Sequence, residues 1–385
     1  MKQFNRTQNI ALKANTKKIS NGTKIKVSLT PYDNEKKSLG KIKKAQAEVQ
    51  DNVAKYVFNV EGFGKELGLD PNKIGFIGAW IDSDNDGKVD SDEEIMLEII
   101  EKEVLIVVGT EQHDFDYGMA LAFPAQAVRE VRENYPSHTH LTIIMFTDGY
   151  TSLSLDIIKR DAKSWNPTIY FKKINSTAEL IKYINEGDAT VKRSTTKIET
   201  VKIFSHGYPS NLVFGLDGKN GDIQQFGIGD VPKLKLSSFV TTDPSIYSYA
   251  CRTGNLGLLS AISYDDTTWR EEVKPQNSLA QKLANHLDAK VYAYITRSDY
   301  NPTWKDDGDT SGYKATRMTI ENEKINATAK QTFKILTMRQ RNNWDEMIWN
   351  TKGAYKPPIG GTTPSGLPTG LFLFQKDKEE IKAGK

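Results

Sequence analysis

Apolar positions along the chain change period near residue 103. Before it they alternate. In "KIKVSLT", Ile25, Val27 and Leu29 fall on one face at strand period. "KAQAEVQDNVAKYVFNV" reads as a hairpin turning at Asp51-Asn52, with Tyr56, Phe58 and Val60 on one face of its second arm. "NKIGFIGAWI" and "EIMLEII" supply two more strands. Residues 21–102 therefore predict a small all-β sandwich, preceded by a polar and flexible 1–20.

From "EVLIVVGT" onward the apolar runs are continuous, as in strands buried on both faces. They alternate with amphipathic stretches: "MALAFPAQAVREVREN", "LSLDIIKRDAKSW", "STAELIKYINEG" and "NSLAQKLANHLDAK". The strands between are "HLTIIMFTDG", "TIYFKKI", "IETVKIFSHG", "SIYSYACRTG" and "VYAYITRS". This βα alternation predicts an α/β domain over 103–353, a mostly parallel sheet covered by helices. Residues 354–385, with "KPPIGGTTPSGLPTG" at their start, read as a Pro/Gly-rich linker and C-terminal tail.

Composition narrows the function. The chain has 385 residues, 38% hydrophobic and 26% charged, with a net charge of +3. That balance argues against a dedicated nucleic-acid binder. The basic excess is local: residues 1–50 hold twelve Lys or Arg against three Asp or Glu, read as a solvated strand face. No apolar run reaches the ~18 residues of a membrane span, and the first residues lack a signal-peptide apolar core. The expectation is a soluble protein, cytoplasmic or exported by a signal-independent route. Oligomeric state is not legible.

"DSDNDGKVDSDE", residues 82–93, has the spacing of a twelve-residue calcium loop. Asp82, Asp84 and Asp86 stand at positions 1, 3 and 5, Gly87 at the sharp turn, and Lys88 offers its carbonyl. Asp90 stands at position 9, and Glu93 at position 12 can bind through both oxygens. The alternative is a solvated acidic turn. The flanking β-rich segments make a structural Ca²⁺ staple the expected role. The segment loosely resembles calcium-loop β-sandwich modules of exported bacterial proteins.

Two buried runs end on reactive groups. "IFSHG" closes on His206, one of five histidines, and "SYACRTG" on Cys251, the only cysteine. Both sit where parallel strands expose their carboxyl ends, the functional rim of such sheets. An ordinary thiol is only a few per cent thiolate at neutral pH. An adjacent imidazole can take its proton and return it to a leaving amine. Gly207, lacking a side chain, lets its N–H approach a reacting carbonyl. With the Cys251 N–H it would form an oxyanion hole, worth about 3 kcal/mol per donor.

Strand-His-Gly followed by strand-Ala-Cys resembles the caspase-like cysteine peptidases, which include caspases, metacaspases, paracaspases, gingipains and clostripain. Ala250, Cys251 and Arg252 match the caspase signature. Tyr249 replaces its glutamine, and Gly254 falls one residue late. The resemblance spans about residues 103–300. It implies a caspase-like fold, a protein or peptide substrate, and a pocket for the residue before the cut. That pocket would be lined by Glu111, His113 and Asp114, by Tyr249, and by Arg297 and Asp299. Acidic groups outnumber basic ones there, which points to a basic residue before the cut. "SYDDTTWREEVKPQNS" reads as a substrate-contacting or self-cleaved loop, with Arg270 and Lys274 as candidate cleavage sites. The alternative is a catalytically inactive scaffold that binds partners.

Other readings fail on the residues. "IIMFTDG" resembles a von Willebrand A strand end, but "LIVVGTEQHDF" lacks the Asp-x-Ser-x-Ser those domains need. No Gly-rich phosphate loop follows a strand start. His138 and His140 could bind a metal only with a partner cluster that the sequence does not supply.

Overall fold

The computed structural model describes residues 2–16, 19–88, 94–110, 121–148, 150, 152–215, 224–256, 271, 273–300, 303, 351–378 and 382–383. Asp90, Glu93, Glu111, His113, Asp114 and Arg270 lie outside them. The chain divides into two compact units. The first comprises Met1–Lys102 with Gly187–Lys197 and Val240–Thr242. The second comprises Glu103–Glu186, Ile198–Phe239 and Asp243–Lys385.

The first unit holds β1 (Lys2–Phe4), β2 (Ile10–Asn15), β3 (Lys24–Tyr32), β4 (Lys43–Gln50) and β5 (Val53–Phe58). Helix α1 (Val60–Leu67), β6 (Phe76–Ile81) and β7 (Glu94–Ile99) follow. Alternation works as expected: Ile25, Val27 and Leu29 of β3 are buried, with Lys24 and Lys26 exposed between and beside them. The β4–β5 hairpin turns at Asp51 and Asn52, both at positive φ (50° and 61°), the conformation of a tight two-residue hairpin turn.

Three expectations are corrected here. The strands form one hydrogen-bonded sheet, β1-β7-β6-β3-β4-β5-β2, rather than two stacked sheets. Apolar side chains from β2, β3, β6, β7 and α1 share a single core. Residues 2–16 are not a loose arm. Ile10 and Leu12 are buried as β2 pairs with β5, and β1 runs parallel to β7. The alternation "IALKA" was too short, amid so many charges, to stand out. Val60 also departs from the predicted strand: Asn59 accepts from the Gly62 N–H (2.7 Å) and starts α1 there.

The second unit contains β8 (Glu101–Val108), α2 (Ala122–Asn134), β9 (Leu141–Phe146), α3 (Ser152–Trp165), β10 (Tyr170–Ile174) and α4 (Thr177–Glu186). Next come β11 (Thr196–Phe204), β12 (His206–Tyr208), β13 (Asn211–Val213), β14 (Gln225–Gly227) and β15 (Ser245–Ser248). The remaining elements are α5 (Leu279–Leu287), β16 (Lys290–Tyr294), β17 (Ser298–Asp299), β18 (Ile359–Gly360), β19 (Leu371–Phe374) and β20 (Lys382–Ala383). Predicted caps are present. Before α4, the Ser176 hydroxyl accepts from the Glu179 N–H and donates to the Glu179 carboxylate, each at 3.2 Å, and Ser278 accepts from the Gln281 N–H at 3.2 Å to start α5.

The main sheet runs β10-β9-β8-β11-β15-β16-β19-β20. It is mostly parallel, with β19 and β20 antiparallel at one edge. Val104, Ile106 and Val108 of β8 pack with α2 and α3, while Val107 faces α4 on the other side. Both faces are thus covered, which is why β9 is buried at all six positions. Chain order reverses between β8 and β11, creating the crevice where open α/β sheets gather ligands. The expected C-terminal linker is corrected. Residues 371–374 pair with β16, and Phe372 and Phe374 are buried. Alternating burial along "LFLF" suits a strand with one face in the core.

Candidate functional site

Strands β11 and β15 pair in parallel with a constant offset, Thr200 with Ser245 through Ile203 with Ser248. The Tyr249 N–H continues the ladder to the Ile203 carbonyl at 3.0 Å. The same offset carried three residues past the last pair brings His206 level with Cys251. The contact is close: a Cβ on Gly207 would stand 2.5 Å from the Cys251 carbonyl oxygen and 3.1 Å from its amide nitrogen. Only glycine fits there, which accounts for its place after the histidine.

The two chains diverge immediately beyond. After His206, β12 folds back on β13, pairing His206 with Val213 and Gly207 with Leu212. After Cys251 the backbone enters the left-handed region at Arg252 (φ 56°), costly for a residue with a Cβ. Arg252 is held by its N–H to the Thr296 carbonyl (2.8 Å), and Ser248 and Thr253 hydroxyls bond across the turn at 2.8 Å. Cys251 thus sits at a sharp bend, partly exposed.

Each reactive side chain has a support. The His206 ring meets Phe123 of α2 edge-on, with centroids 5.1 Å apart. Phe123 in turn meets Tyr300 at 5.0 Å. Tyr300 is buried and donates its hydroxyl to the Tyr249 carbonyl at 3.0 Å. Burial first, then the neighbouring Cys251, pushes its phenol well above the ordinary range, so it stays neutral. The Cys251 sulfur lies 3.3 Å from both the N–H and the hydroxyl of Ser298. Ser298 was missed from the sequence, although it stands between Arg297 and Asp299 in a stretch already singled out. An unremarkable serine after a strand carries no signal until folding sets it on the sulfur.

The expected pocket residues fare differently. Asp299 follows Ser298 in β17 and is half-buried, beside the thiol's partner. The Tyr249 ring is buried, stacked on Phe204 at 4.8 Å within the core. Tyr249 packs in the cluster that includes Phe123 of α2 and Ile158 of α3. Glu111 and Asp114 lie outside the described residues. Lys274 holds a left-handed conformation (φ 48°) ahead of α5.

In the first unit, Asp82, Asp84 and Asp86 each bring a carboxylate oxygen within 4.8 Å of the others. Asp82 is fully buried and accepts from the Gly87 N–H at 3.1 Å, closing the loop as a position-one ligand does. Gly87 turns at φ 82°. Asp84 and Asp86 accept from the amides two residues on, at 3.1 and 2.7 Å. The three carboxylates and the glycine turn fit an oxygen cage for a hard dication. Lys88 is at the turn's end, and Asp90 and Glu93 lie outside the described residues. No helix among the described residues is long and apolar enough to cross a membrane.

Comparison with protein-family models, with curated proteins and with solved structures finds no match.

Proposed function

We propose that the second unit is a cysteine endopeptidase working through Cys251 and His206. The observation that carries this reading is the shared level of the two residues at the carboxyl ends of adjacent parallel strands, with Gly207 packed on the Cys251 backbone. Cys251 attacks the scissile carbonyl as thiolate, its proton passing to His206. The Gly207 and Cys251 amides receive the developing oxyanion. His206 then protonates the leaving amine, and water hydrolyses the thioester. The Ser298 N–H and hydroxyl, 3.3 Å from the sulfur, hold Cys251 in place. Asp299 beside it keeps the preference for a basic residue before the cut. Ca²⁺ held by Asp82, Asp84 and Asp86, with Lys88, Asp90 and Glu93, would brace the first unit and take no part in the chemistry.

The test uses the full chain with peptidyl acyloxymethyl ketones ending in Arg, Lys, Asp or Leu, with and without Ca²⁺. The expected result is a covalent adduct on Cys251, found by mass spectrometry, strongest for Arg or Lys and lost in His206→Ala. A thiol that ignores all four probes when folded, yet reacts once denatured, overturns the peptidase and supports the partner-binding scaffold.

A further inference from the structure

The first unit carries a second concavity, unrelated to the cysteine. It is a groove of about 710 Å³ on the solvent face of the sheet, crossing β4, β3 and β6. That is the size of an ordinary small-ligand cleft, roughly 300–1,000 Å³. Register explains its lining. Lys44, Ser28 and Trp80 form one cross-strand row, because Ser28 pairs with Lys44 on one side and with Trp80 on the other. Gln46 and Lys26 form the row on one side of it, and Thr30 pairs with Gly78 in the row on the other. Gly78 presents no side chain, so the floor opens beside the indole. The odd-numbered neighbours Val27, Leu29, Ala79 and Ile81 are buried on the opposite face, which leaves the groove side free of core duty.

The chemistry of this lining is specific. Trp80 is half-buried and offers a flat apolar surface with a polar N–H. Ser28, Thr30 and Gln46 offer hydroxyl and amide groups. Lys26 and Lys44 are exposed cations, and no carboxylate lines the groove among the described residues. An indole face matches the apolar C–H face of a sugar ring. Hydroxyls and an amide match sugar hydroxyls. Two ammonium groups match acidic substituents through charge-assisted hydrogen bonds. An acidic peptide would satisfy the lysines but would leave the indole and the small polar groups without matched partners. We infer that this groove binds an acidic oligosaccharide, its carboxylate or sulfate groups on Lys26 and Lys44 and one ring stacked on Trp80. The inference stands apart from the peptidase reading, since none of these residues belongs to the second unit.

Isothermal titration of the full chain in calcium-containing buffer tests it, with an oligouronate, a sulfated oligosaccharide, the neutral oligosaccharide of equal length and oligoglutamate. Binding of at least one acidic sugar is expected, weakening with added salt, with neutral sugar and oligoglutamate each about tenfold weaker or worse. The uronate and sulfate arms distinguish the two acid types. Trp80→Ala is expected to weaken binding about tenfold, with Trp80→Tyr restoring most of it. Should Trp80→Ala fail to fold, Lys26→Gln/Lys44→Gln serves, because both side chains are exposed. It should cost roughly tenfold and flatten the salt dependence. No acidic sugar bound, oligoglutamate bound equally well, or unchanged affinity in the lysine double variant each overturns the inference.

Discussion

Replacing Gly207 by Ala probes the candidate site without touching either reactive side chain. The added Cβ would stand 2.5 Å from the Cys251 carbonyl oxygen, 2.9 Å from the Ala250 Cβ and 3.1 Å from the Cys251 amide nitrogen. Real Cβ contacts essentially never fall below 3.0 Å. The nearest obstacle is backbone, so no side chain can swing aside. β12 must therefore retreat from the Cys251 turn by at least about 0.5 Å, and toward 1 Å to reach ordinary contact. His206 moves with it, being the preceding residue in the same strand. Misplacing a catalytic group by about 1 Å can cost on the order of a hundredfold in rate. Overpacking of this kind costs about 1–3 kcal/mol in stability, a shift of only several degrees in a domain of this size. The expected outcome is a roughly hundredfold slower reaction of Cys251 with the preferred peptidyl electrophile. Near-native circular dichroism and a slightly lowered Tm should accompany it. Labelling at the wild-type rate with an unchanged Tm would refute the close packing of Gly207 on Cys251, and with it the geometry assigned to the pair.

Three further outcomes are expected. Lys202 Nζ lies 2.5 Å from Glu130, nearly buried, between the Tyr135 and Tyr247 rings at 5.2 Å each. Lys202→Met leaves the carboxylate to Arg129 at 3.1 Å and Asn134 at 2.6 Å, so it should cost about 1.5–3 kcal/mol, read as a drop in Tm on the order of 5 °C; an unchanged Tm would contradict the buried pairing. Asp230 is held below the usual carboxylate range. Partial burial opposes this, but the Gly227 N–H at 2.9 Å and Lys233 at 2.7 Å outweigh it. Its stabilising contribution is therefore present above the ordinary Asp pKa of about 4 and is lost as pH falls through the lower folded value. Urea melts of Asp230→Asn should show a deficit at pH 7 that shrinks below about pH 4, and a deficit independent of pH would reject the linkage. Chelation by EDTA should lower the melting temperature of the first unit, and Asp82→Asn should abolish the difference between chelated and calcium-loaded protein. An EDTA-insensitive melt would remove the metal.

Much of the second unit was legible in the sequence because its strands are buried on both faces. Uninterrupted runs such as "VLIVV" and "LTIIMF" have no soluble alternative, and the amphipathic stretches between them bring their own caps, Ser176 and Ser278. The termini were not legible. Residues 10–15 and 371–374 become strands only because β5 and β16 offer them unpaired edges, and edge pairing is a property of the partner strand.

The sequence by itself determined where chain segments run straight and where they stop. It therefore placed His206 and Cys251 at strand ends and Asp82, Asp84 and Asp86 on a turn. These are local matters, set by period, by glycine and by carboxylate spacing. Only the tertiary structure decided lateral order. It set β11 beside β15, laid Ser298 against the sulfur, buried Tyr249, and aligned Lys44, Ser28 and Trp80 across three strands. Strand neighbours and register come from filling one shared core, and that constraint is satisfied by the whole chain at once.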